Sequence, residues 1–302
     1  MNNKANLSIV EYFGSDKGHK CGYCKGSKSN LSHGMWAHTM NVEDYESLIN
    51  RGWRRSGNTI LILLIVGIEL NYTIRCSTNN FRMSHSHKKM LKKMRNFLSK
   101  DADSAFATNC SSKAPIGKPS SVGSQTLPKT LEDYLEEEYH NPFNKLEIKL
   151  VDPTSSEFKK TMSSAYKLYV KEIAFSRQLG LSDPNFCWYY LGFYIHSCPK
   201  MFYKGQYKPS FLLCPETYTF QPFEECVIKL NRNKYSVLLE KTGDVYEDES
   251  ISKVGILYRR QAATFDVYSL RQKVEEEEVK EVEEYAMLVG RSSSNRMLLY
   301  RS

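Results

Sequence analysis

The sequence predicts a two-domain protein of the α+β class, and three observations support this prediction. The chain has 302 residues, a length typical of about two domains. Stretches with apolar residues at helical spacing occur beside short stretches of aromatic or alternating apolar residues. Residues 101–130 are rich in Ser, Pro, Gly and Thr, which is typical of a linker. We therefore predict a first domain over residues 1–100 and a second over 131–302.

The first 40 residues are expected to form irregular structure around Cys21 and Cys24. A Cys-x-x-Cys pair can bind a soft metal ion, but a tetrahedral site needs about four ligands. Further ligands within reach in the sequence are Cys76, His19, His33 and His38. A zinc site containing Cys21, Cys24 and Cys76 is one interpretation. The alternative is that Cys76 is a buried thiol and the histidines are polar loop residues.

A short helix is predicted directly after Asn41, which can cap its start. Val42, Tyr45 and Leu48 share one face with helical spacing, and Gly52 can end the helix. Residues 59–70 follow and are almost wholly apolar. A membrane-spanning helix needs about 20 such residues, so this stretch is too short. It predicts either a buried strand or an unpaired hydrophobic insert.

Residues 82–100 predict a basic amphipathic helix with seven Lys or Arg residues and no acidic residue. The basic residues on its polar faces are Lys88, Lys89, Lys92, Lys93 and Arg95. Such a helix can pack by its apolar stripe and present its charge to phosphates, although a membrane surface is an alternative. A solvated structural helix carries mixed charges more often, so we favour the phosphate interpretation and expect no membrane partner.

The second domain is expected to begin near Leu131. Residues 145–151 alternate in polarity as in a strand, and Thr154 and Glu157 have the spacing of a capping box that opens a helix. Residues 187–196 are rich in aromatics and predict a central strand. An acidic helix with a solvated face is predicted from Glu275 onward.

The positive charge of the chain is concentrated in the predicted first domain. Residues 1–100 contain 16 Lys or Arg and 6 Asp or Glu, whereas the other 202 residues contain 26 and 28. A basic module on a nearly neutral body favours a polyanionic partner such as nucleic acid over a merely soluble basic surface. The start of the chain lacks the apolar run of a signal peptide, so we expect free thiols and a cytoplasmic location, with the nucleus as a second candidate compartment.

Four stretches of this sequence resemble the arginyl-tRNA–protein transferase (arginyltransferase) family. They are residues 11–57, residues 72–76 with the helix 81–98, residues 171–226 and residues 283–302. The resemblance implies transfer of arginine from arginyl-tRNA to the amino group of proteins that begin with Asp, Glu or oxidised Cys. That transfer marks its targets for the ubiquitin-dependent N-degron pathway.

The resemblance also implies a fold and a cofactor. The second domain is expected to resemble the acetyltransferase (GNAT-like) αβ fold. The first domain is expected to hold cysteines that bind an iron–sulfur cluster or another metal, while the transfer itself requires no cofactor.

Two departures from the family pattern indicate a shortened form. The family has a second cysteine pair in the interval that is residues 58–71 here, and this interval contains no cysteine. The family also has a long block before the EIAFSRQL motif, whereas here the chain runs directly from Val170 into Glu172. Central strands cannot be removed without exposing the backbone groups of their neighbours, so we expect an incomplete GNAT-like domain and consider an inactive, binding variant as the alternative.

The candidate acceptor site follows the predicted strand 187–196, in the stretch GFYIHSCPKMFYKGQY. Polar groups after a strand are where an αβ fold tends to place its chemistry. Lys200 and Lys204 are predicted to hold an acidic acceptor together with Tyr203 and Tyr207, and His196 is predicted to take its proton. The alternative is that these side chains serve packing and solvation, which is the more frequent role of a single histidine.

Overall fold

The computed structural model describes part of the chain, in ranges that include most of both predicted domains. The described residues are 7–16, 18, 31–64, 71–92, 130, 131, 133, 169–233, 235–240 and 250–302. Several predictions fall outside them: most of the linker 101–130, the strand 145–151, the capping box at Thr154, and the residues Cys21, Cys24, His19, Lys93 and Arg95.

A seven-stranded sheet is the larger of the two sheets that the described residues form. Its strand order is β10-β9-β11-β1-β2-β4-β3. The strands are β1 (Ile9–Ser15), β2 (Leu31–Thr39), β3 (Arg54–Ser56), β4 (Thr59–Leu64), β9 (Gly255–Tyr258), β10 (Gln261–Thr264) and β11 (Leu298–Arg301). The parallel pairing of β1 with β11, with Ile9 opposite Leu298, joins the first described strand to the last.

Because β1 pairs with β11, the compact units of the structure do not coincide with the two domains predicted from the sequence. One unit consists of Met1–Cys76 and Tyr190–Ser302, and the other of Ser77–Tyr189. The first unit therefore combines strands from both predicted domains in one sheet. The boundaries at residues 100 and 131 stay a prediction about sequence modules, not about these compact units.

Several helices of the first compact unit pack against the seven-stranded sheet and complete its core. The helices named in the described residues are α1 (Val42–Ile49), α2 (Tyr169–Ser182), α3 (Phe223–Leu230), α4 (Phe265–Arg271), α5 (Glu276–Val289) and α6 (Arg291–Arg296). Trp53, Met35, Ile256 and Tyr285 are fully buried in the core of the first unit. The mixture of sheets and helices confirms the α+β class.

The predicted helix after Asn41 is confirmed as α1. The Asn41 side chain accepts a hydrogen bond from the Asp44 amide at 2.7 Å, which is the cap that the sequence predicts. Leu48 is buried, but Val42 is 78% exposed, so its place on the buried face is wrong. The cause is the position of Val42 in the first turn, where the buried side of the helix is instead occupied by Asp44.

The strand interpretation of residues 59–70 is confirmed for the part that the structure describes. Residues 59–64 form β4, which pairs with β2 on one side and β3 on the other. Ile60 and Ile62 are buried, as expected for a strand between two neighbours. The alternative of an unpaired insert is therefore wrong for β4, and residues 65–70 lie outside the described residues.

The second sheet contains four strands in the order β6-β5-β7-β8. Its strands are β5 (Tyr72–Ser77), β6 (Trp188–Tyr194), β7 (Ser210–Leu213) and β8 (Phe220–Pro222). The strand predicted over 187–196 is confirmed as β6, but it lies at one edge of this sheet as the described residues form it. The prediction of a central strand was wrong because aromatic content is equally compatible with an edge strand whose side chains are half-buried, and most β6 residues are.

Two further sequence predictions are refined by the helices. The predicted junction at residues 170–172 lies within the first turn of α2. The acidic helix α5 has a solvated face, but its other side buries Val282, Tyr285 and Val289 in the core. No helix in the described part of the chain has the length and apolar character needed to cross a membrane.

Candidate active site

The predicted acceptor residues lie on a 3-10 helix, Pro199–Gln206, that follows strand β6. They differ strongly in exposure, because Lys200 is exposed whereas Lys204 is 8% exposed. Tyr207 is buried directly after the helix, and its ring packs edge-on against the Tyr203 ring with centroids 6.5 Å apart. The structure therefore separates the two lysines that the sequence analysis grouped together.

Lys204 is a buried cation with one hydrogen-bond partner, since its Nζ donates to the carbonyl oxygen of Phe193 on β6. Burial lowers the pKa of Lys204 to about 8, repulsion from Arg54 acts in the same direction, and Cys198 opposes both. Gly192 lies beside the ammonium group, where an added Cβ would be 3.7 Å from Nζ. The positive φ of Gly192 (84°) is a conformation that favours glycine in the middle of this strand.

Arg54, the first residue of β3, is the second cation of the site. Its Nη1 donates to the carbonyl oxygens of Ile49 and Trp53, while Nε and Nη2 are buried and have no hydrogen-bond partner in the described part of the chain. Burial lowers the pKa of Arg54 to about 10, although Tyr45 and Tyr190 act in the opposite direction. Sequence reasoning missed Arg54, whose only signal is the Arg-Arg pair that follows α1.

Aromatic rings enclose the Arg54 guanidinium. Its central carbon lies 5.1 Å from the ring centroid of Phe193 and 5.9 Å from that of Tyr190. The Tyr190 hydroxyl donates to Asn50 Oδ1 at 2.5 Å and accepts from Arg75 Nη1 at 3.4 Å. These contacts hold the Tyr190 ring in place beside the guanidinium.

The charge of this cluster is not balanced by protein carboxylates. Among the described residues, no Asp or Glu forms an ion pair with Arg54 or Lys204. A buried charge without an anionic partner is costly, and a half-buried cation that repels it adds to the cost. The arrangement can therefore bind an anion.

His196 lies just after β6, with both ring nitrogens in contact with neighbouring side chains. Nδ1 is 3.0 Å from the Tyr194 hydroxyl, and Nε2 is 2.9 Å from Asn231 Oδ1. A proton acceptor needs a free lone pair directed at its substrate. Asn231 Oδ1 only accepts, so Nε2 carries a proton and the ring lone pair is on Nδ1. The contact of Nδ1 with Tyr194 would have to change for His196 to accept a proton, and its catalytic role stays a prediction.

Two family models match this chain. The model described as the N terminus of arginine-tRNA-protein transferase matches residues 19–89, and the model described as the C terminus matches residues 84–214. Together they cover about two thirds of the 302 residues. The chain belongs to the arginyl-tRNA–protein transferase family. The resemblance noted in the sequence and the transferase class are thereby confirmed, and the site of this arginyltransferase draws Arg54 from the first matched region and Lys204 from the second.

The comparison with a complete relative shows that this arginyltransferase is short. It is 25% identical to arginyl-tRNA–protein transferase 1 of Drosophila melanogaster in an alignment that covers 97% of this chain and 99% of the relative. The alignment runs over 482 positions, which exceeds the 302 residues of the chain by 180. At least that many aligned positions therefore have no counterpart here, as expected for the shortened form that the sequence predicts.

Local matches have higher identity but cover only part of each relative. Arginyl-tRNA–protein transferase 2 of Arabidopsis thaliana is 57% identical over 51 residues, which span 17% of this chain and 8% of that protein. An aspartate/glutamate leucyltransferase of Helicobacter hepaticus is 32% identical over 92 residues, which span 30% of this chain and 36% of the relative.

The described residues of this arginyltransferase do not supply a metal centre. No group of three or more His, Cys, Asp or Glu residues among them is arranged to hold a metal ion. Cys76 is fully buried on β5, and burial raises the pKa of its thiol to about 12. Its two predicted partners, Cys21 and Cys24, lie outside the described residues, so the ligand role of Cys76 stays a prediction. His33 contacts Tyr12 and Glu284 instead, at 2.7 and 3.0 Å.

The predicted tRNA-binding helix of this arginyltransferase is described over residues 85–92, in the second compact unit. Leu91 and His87 are buried, while Lys89 and Lys92 are exposed and Lys88 is half-buried. Ser84 and His87 cap the start, because the His87 amide donates to Ser84 Oγ and the Ser84 amide donates to His87 Nδ1. The amphipathic pattern therefore holds for this part of the helix.

Proposed function

We propose that this chain transfers arginine from arginyl-tRNA to the N-terminal amino group of proteins that begin with Asp, Glu or oxidised Cys. One observation carries the proposal: Arg54, from the N-terminal family region, and Lys204, from the C-terminal one, both lie beside Phe193 without a carboxylate partner among the described residues. Such a site suits an acidic acceptor. The printed name of the Helicobacter hepaticus relative, an aspartate/glutamate leucyltransferase, supports the same acceptor class.

The chemistry demands alignment more than activation. The nitrogen of the acceptor amine attacks the ester carbonyl carbon of arginyl-tRNA, the bond to the ribose oxygen breaks, and a proton passes from the nitrogen to the released ribose oxygen. Alignment of the two reactants can contribute roughly 7–11 kcal/mol to lowering the barrier. An N-terminal amine has a pKa of about 7.7–8, so a large fraction is already neutral near physiological pH.

The RNA substrate is assigned to the basic helix that contains Lys88, Lys89 and Lys92, with Lys93 and Arg95 included from the sequence. Exposed lysines on one helix can neutralise several phosphates without reading the base sequence. Marking of the product for ubiquitin-dependent degradation follows from the acceptor class by family resemblance. Lys200, Tyr203 and Tyr207 stay predicted acceptor-binding residues.

A second function is favoured by the missing positions relative to the Drosophila relative. A chain that lacks part of the acyl-transfer domain can retain substrate binding and lose transfer. In that case the protein is a regulator that binds arginyl-tRNA or the acceptor protein without joining them.

Incorporation of radiolabelled arginine distinguishes the two functions. The purified chain is incubated with charged tRNA and a peptide that begins with Asp, and an N-acetylated copy of the peptide serves as the control. Transfer to the free peptide alone supports the enzyme. Absence of transfer, together with retained binding of tRNA in a gel-shift assay, refutes the transfer proposal and supports the regulator.

A further inference from the structure

We propose that Arg54 and Lys204 bind the side-chain carboxylate of the first residue of the acceptor, and that Arg54 is the residue that distinguishes this carboxylate from a neutral amide. The inference rests on the proposed function, which supplies the acceptor protein. It adds a residue that the sequence analysis did not place in the site, and it assigns that residue a ligand group.

One edge of the Arg54 guanidinium has no hydrogen-bond partner among the described residues. The protein covers this edge almost completely, so a carboxylate that binds there must displace the groups that cover it. Nη1 is used by two backbone carbonyl oxygens, whereas Nε and Nη2 have no partner. Nε and Nη2 are the two nitrogens of the side-on edge, whose parallel N–H groups match the two oxygens of a carboxylate. An amide offers one oxygen and one NH₂ group to the same edge. Only one of the two hydrogen bonds can then form, and the amide NH₂ group faces an N–H group of the guanidinium.

The second cation and the aromatic rings restrict the ligand further. Lys204 Nζ donates to the carbonyl oxygen of Phe193, and the Arg54 guanidinium carbon lies 5.1 Å from the ring centroid of the same residue. Both cations therefore lie beside Phe193. Phe193 and Tyr190 lie beside the guanidinium and limit the room around it. A small planar carboxylate fits such an enclosed pair of cations better than an extended phosphate backbone does, because a polyanion prefers exposed lysines.

Burial makes the selectivity strong. A carboxylate that enters this site neutralises two cations that otherwise have no acidic partner among the described residues. A neutral side chain leaves both cations buried and unpaired, and a lost hydrogen bond to a charged group lowers affinity by about 10- to 100-fold. We therefore expect the chain to bind an Asp-starting peptide at least about tenfold more tightly than the Asn-starting peptide of otherwise identical sequence.

Binding without transfer is the appropriate measurement. Fluorescence anisotropy of the full chain, without tRNA, gives the affinities for labelled peptides that begin with Asp or with Asn. The variants are Arg54→Gln and Lys204→Gln. The matched controls are Arg55→Gln, since Arg55 is the exposed neighbour that donates to Gly57, and Lys208→Gln, since Lys208 is exposed and pairs with Glu224.

The expected result is that Arg54→Gln removes the preference for Asp over Asn, that Lys204→Gln reduces it, and that both controls retain it. Arg54→Lys keeps the charge but loses the paired donors, so it should retain only part of the preference. Circular dichroism spectra that match the parent chain show that the loss is not unfolding, and the Asn-starting peptide should bind all folded variants equally.

Three outcomes would overturn the inference: no preference for Asp in the parent chain, an unchanged preference in folded Arg54→Gln, or weaker tRNA binding in place of weaker Asp selectivity. The last outcome would assign the pair to a phosphate of the RNA. Failure of the proposed function gives a different result from failure of this inference. A chain that prefers Asp through Arg54 but transfers no arginine supports the carboxylate site and contradicts only the proposed transfer.

Discussion

Asp44 Oδ1 lies 2.8 Å from Arg296 Nη2, and this ion pair joins residues that are 252 positions apart in the chain. The Asp44 side chain is 2% exposed, whereas that of Arg296 is 47% exposed. The other carboxylate oxygen of Asp44 accepts from Ser8 Oγ at 2.7 Å. Asp44 therefore connects the start of β1, the first turn of α1 and the last residue of α6, all within the first compact unit.

Replacement of Asp44 by Asn should destabilise the protein strongly. The substitution removes the charge and leaves Arg296 and Ser8 without their anionic partner, and breaking a buried ion pair costs about 3–5 kcal/mol. Because Arg296 is half exposed, we expect the lower part of this range. Urea unfolding monitored by circular dichroism measures the loss.

Glu43→Gln is the control for Asp44→Asn, because Glu43 is exposed on the same turn of α1. A change of less than about 0.5 kcal/mol is expected for this surface position. Equal effects of the two substitutions would show that Asp44 contributes only its charge to the helix and not the buried connection.

Lys204→Met should stabilise the protein at pH 7. The pKa of Lys204 falls from 10.5 to about 8 on folding, which corresponds to a penalty of roughly 3 kcal/mol for the charged form. Methionine removes the penalty but also the hydrogen bond to the Phe193 carbonyl, worth about 1 kcal/mol. The expected gain in the free energy of unfolding is therefore about 2 kcal/mol, measured by urea unfolding.

The stability difference between Lys204→Met and the parent chain should depend on pH. Below pH 8 the amine is protonated in both states and the penalty is complete. Between pH 8 and 10.5 the folded amine is deprotonated first, so the stability of the parent chain rises relative to the variant. The advantage of Lys204→Met should therefore shrink between pH 7 and pH 9.5, and an advantage that grows over this range would contradict the assigned burial.

Local sequence signals predicted part of the local structure in the first unit. The expectation of irregular structure over residues 1–40 was wrong where the structure describes them, because Ile9–Ser15 and Leu31–Thr39 form β1 and β2. Asn41 as a cap, β4 as a buried strand and β6 as a strand each depend on a few neighbouring residues, and each was confirmed. The pairing of β1 with β11 was not predicted, because hydrophobic alternation specifies which face of a strand is buried but not which distant strand lies beside it. The edge position of β6 was missed for the same reason.

The residues of the candidate site could likewise be predicted only in part from the sequence. Lys204 was named from the sequence because it follows a predicted strand, but its burial and the exposure of Lys200 depend on which side of the 3-10 helix faces the sheet. Arg54 could not be identified, because a charged residue is normally predicted at the surface. Its importance follows from two unpartnered nitrogens, which only a three-dimensional structure shows.

Reversal of charge on the basic helix should weaken RNA binding. Replacing Lys89 and Lys92 by Glu removes two exposed cations without touching the buried residues His87 and Leu91. We expect weaker tRNA binding and a weaker dependence of that binding on salt. Each phosphate contact adds about 0.9 to the magnitude of the slope of log affinity against log salt concentration, so the loss of two contacts should reduce this magnitude by about 2. Gel-shift titrations at several salt concentrations measure both quantities.

Lys253→Glu with Lys273→Glu is the matched control for the RNA experiment, because both lysines are exposed in the first compact unit. The control changes the net charge by the same amount. A similar loss of slope in both double variants would show that total charge, and not this helix, determines the attraction for RNA.

Cys76→Ala should leave the metal content of the purified chain unchanged. Cys76 is fully buried, and no group of three or more candidate ligands among the described residues includes it. Elemental analysis by mass spectrometry gives the metal per chain, with Cys21→Ala as the comparison for the Cys-x-x-Cys pair. Equal loss of metal in both variants would restore Cys76 as a ligand.

His196→Asn tests whether His196 accepts a proton or holds two elements together. Its ring nitrogens contact Tyr194 on β6 and Asn231 after α3, so we expect the substitution to lower the free energy of unfolding by about 1–2 kcal/mol through two lost hydrogen bonds. Arginine transfer per folded molecule should change less than about threefold, with the same dependence on pH. A fall of 10²- to 10⁴-fold in the transfer rate, with loss of one limb of the pH profile, is the signature of a general base and would reject the positional role.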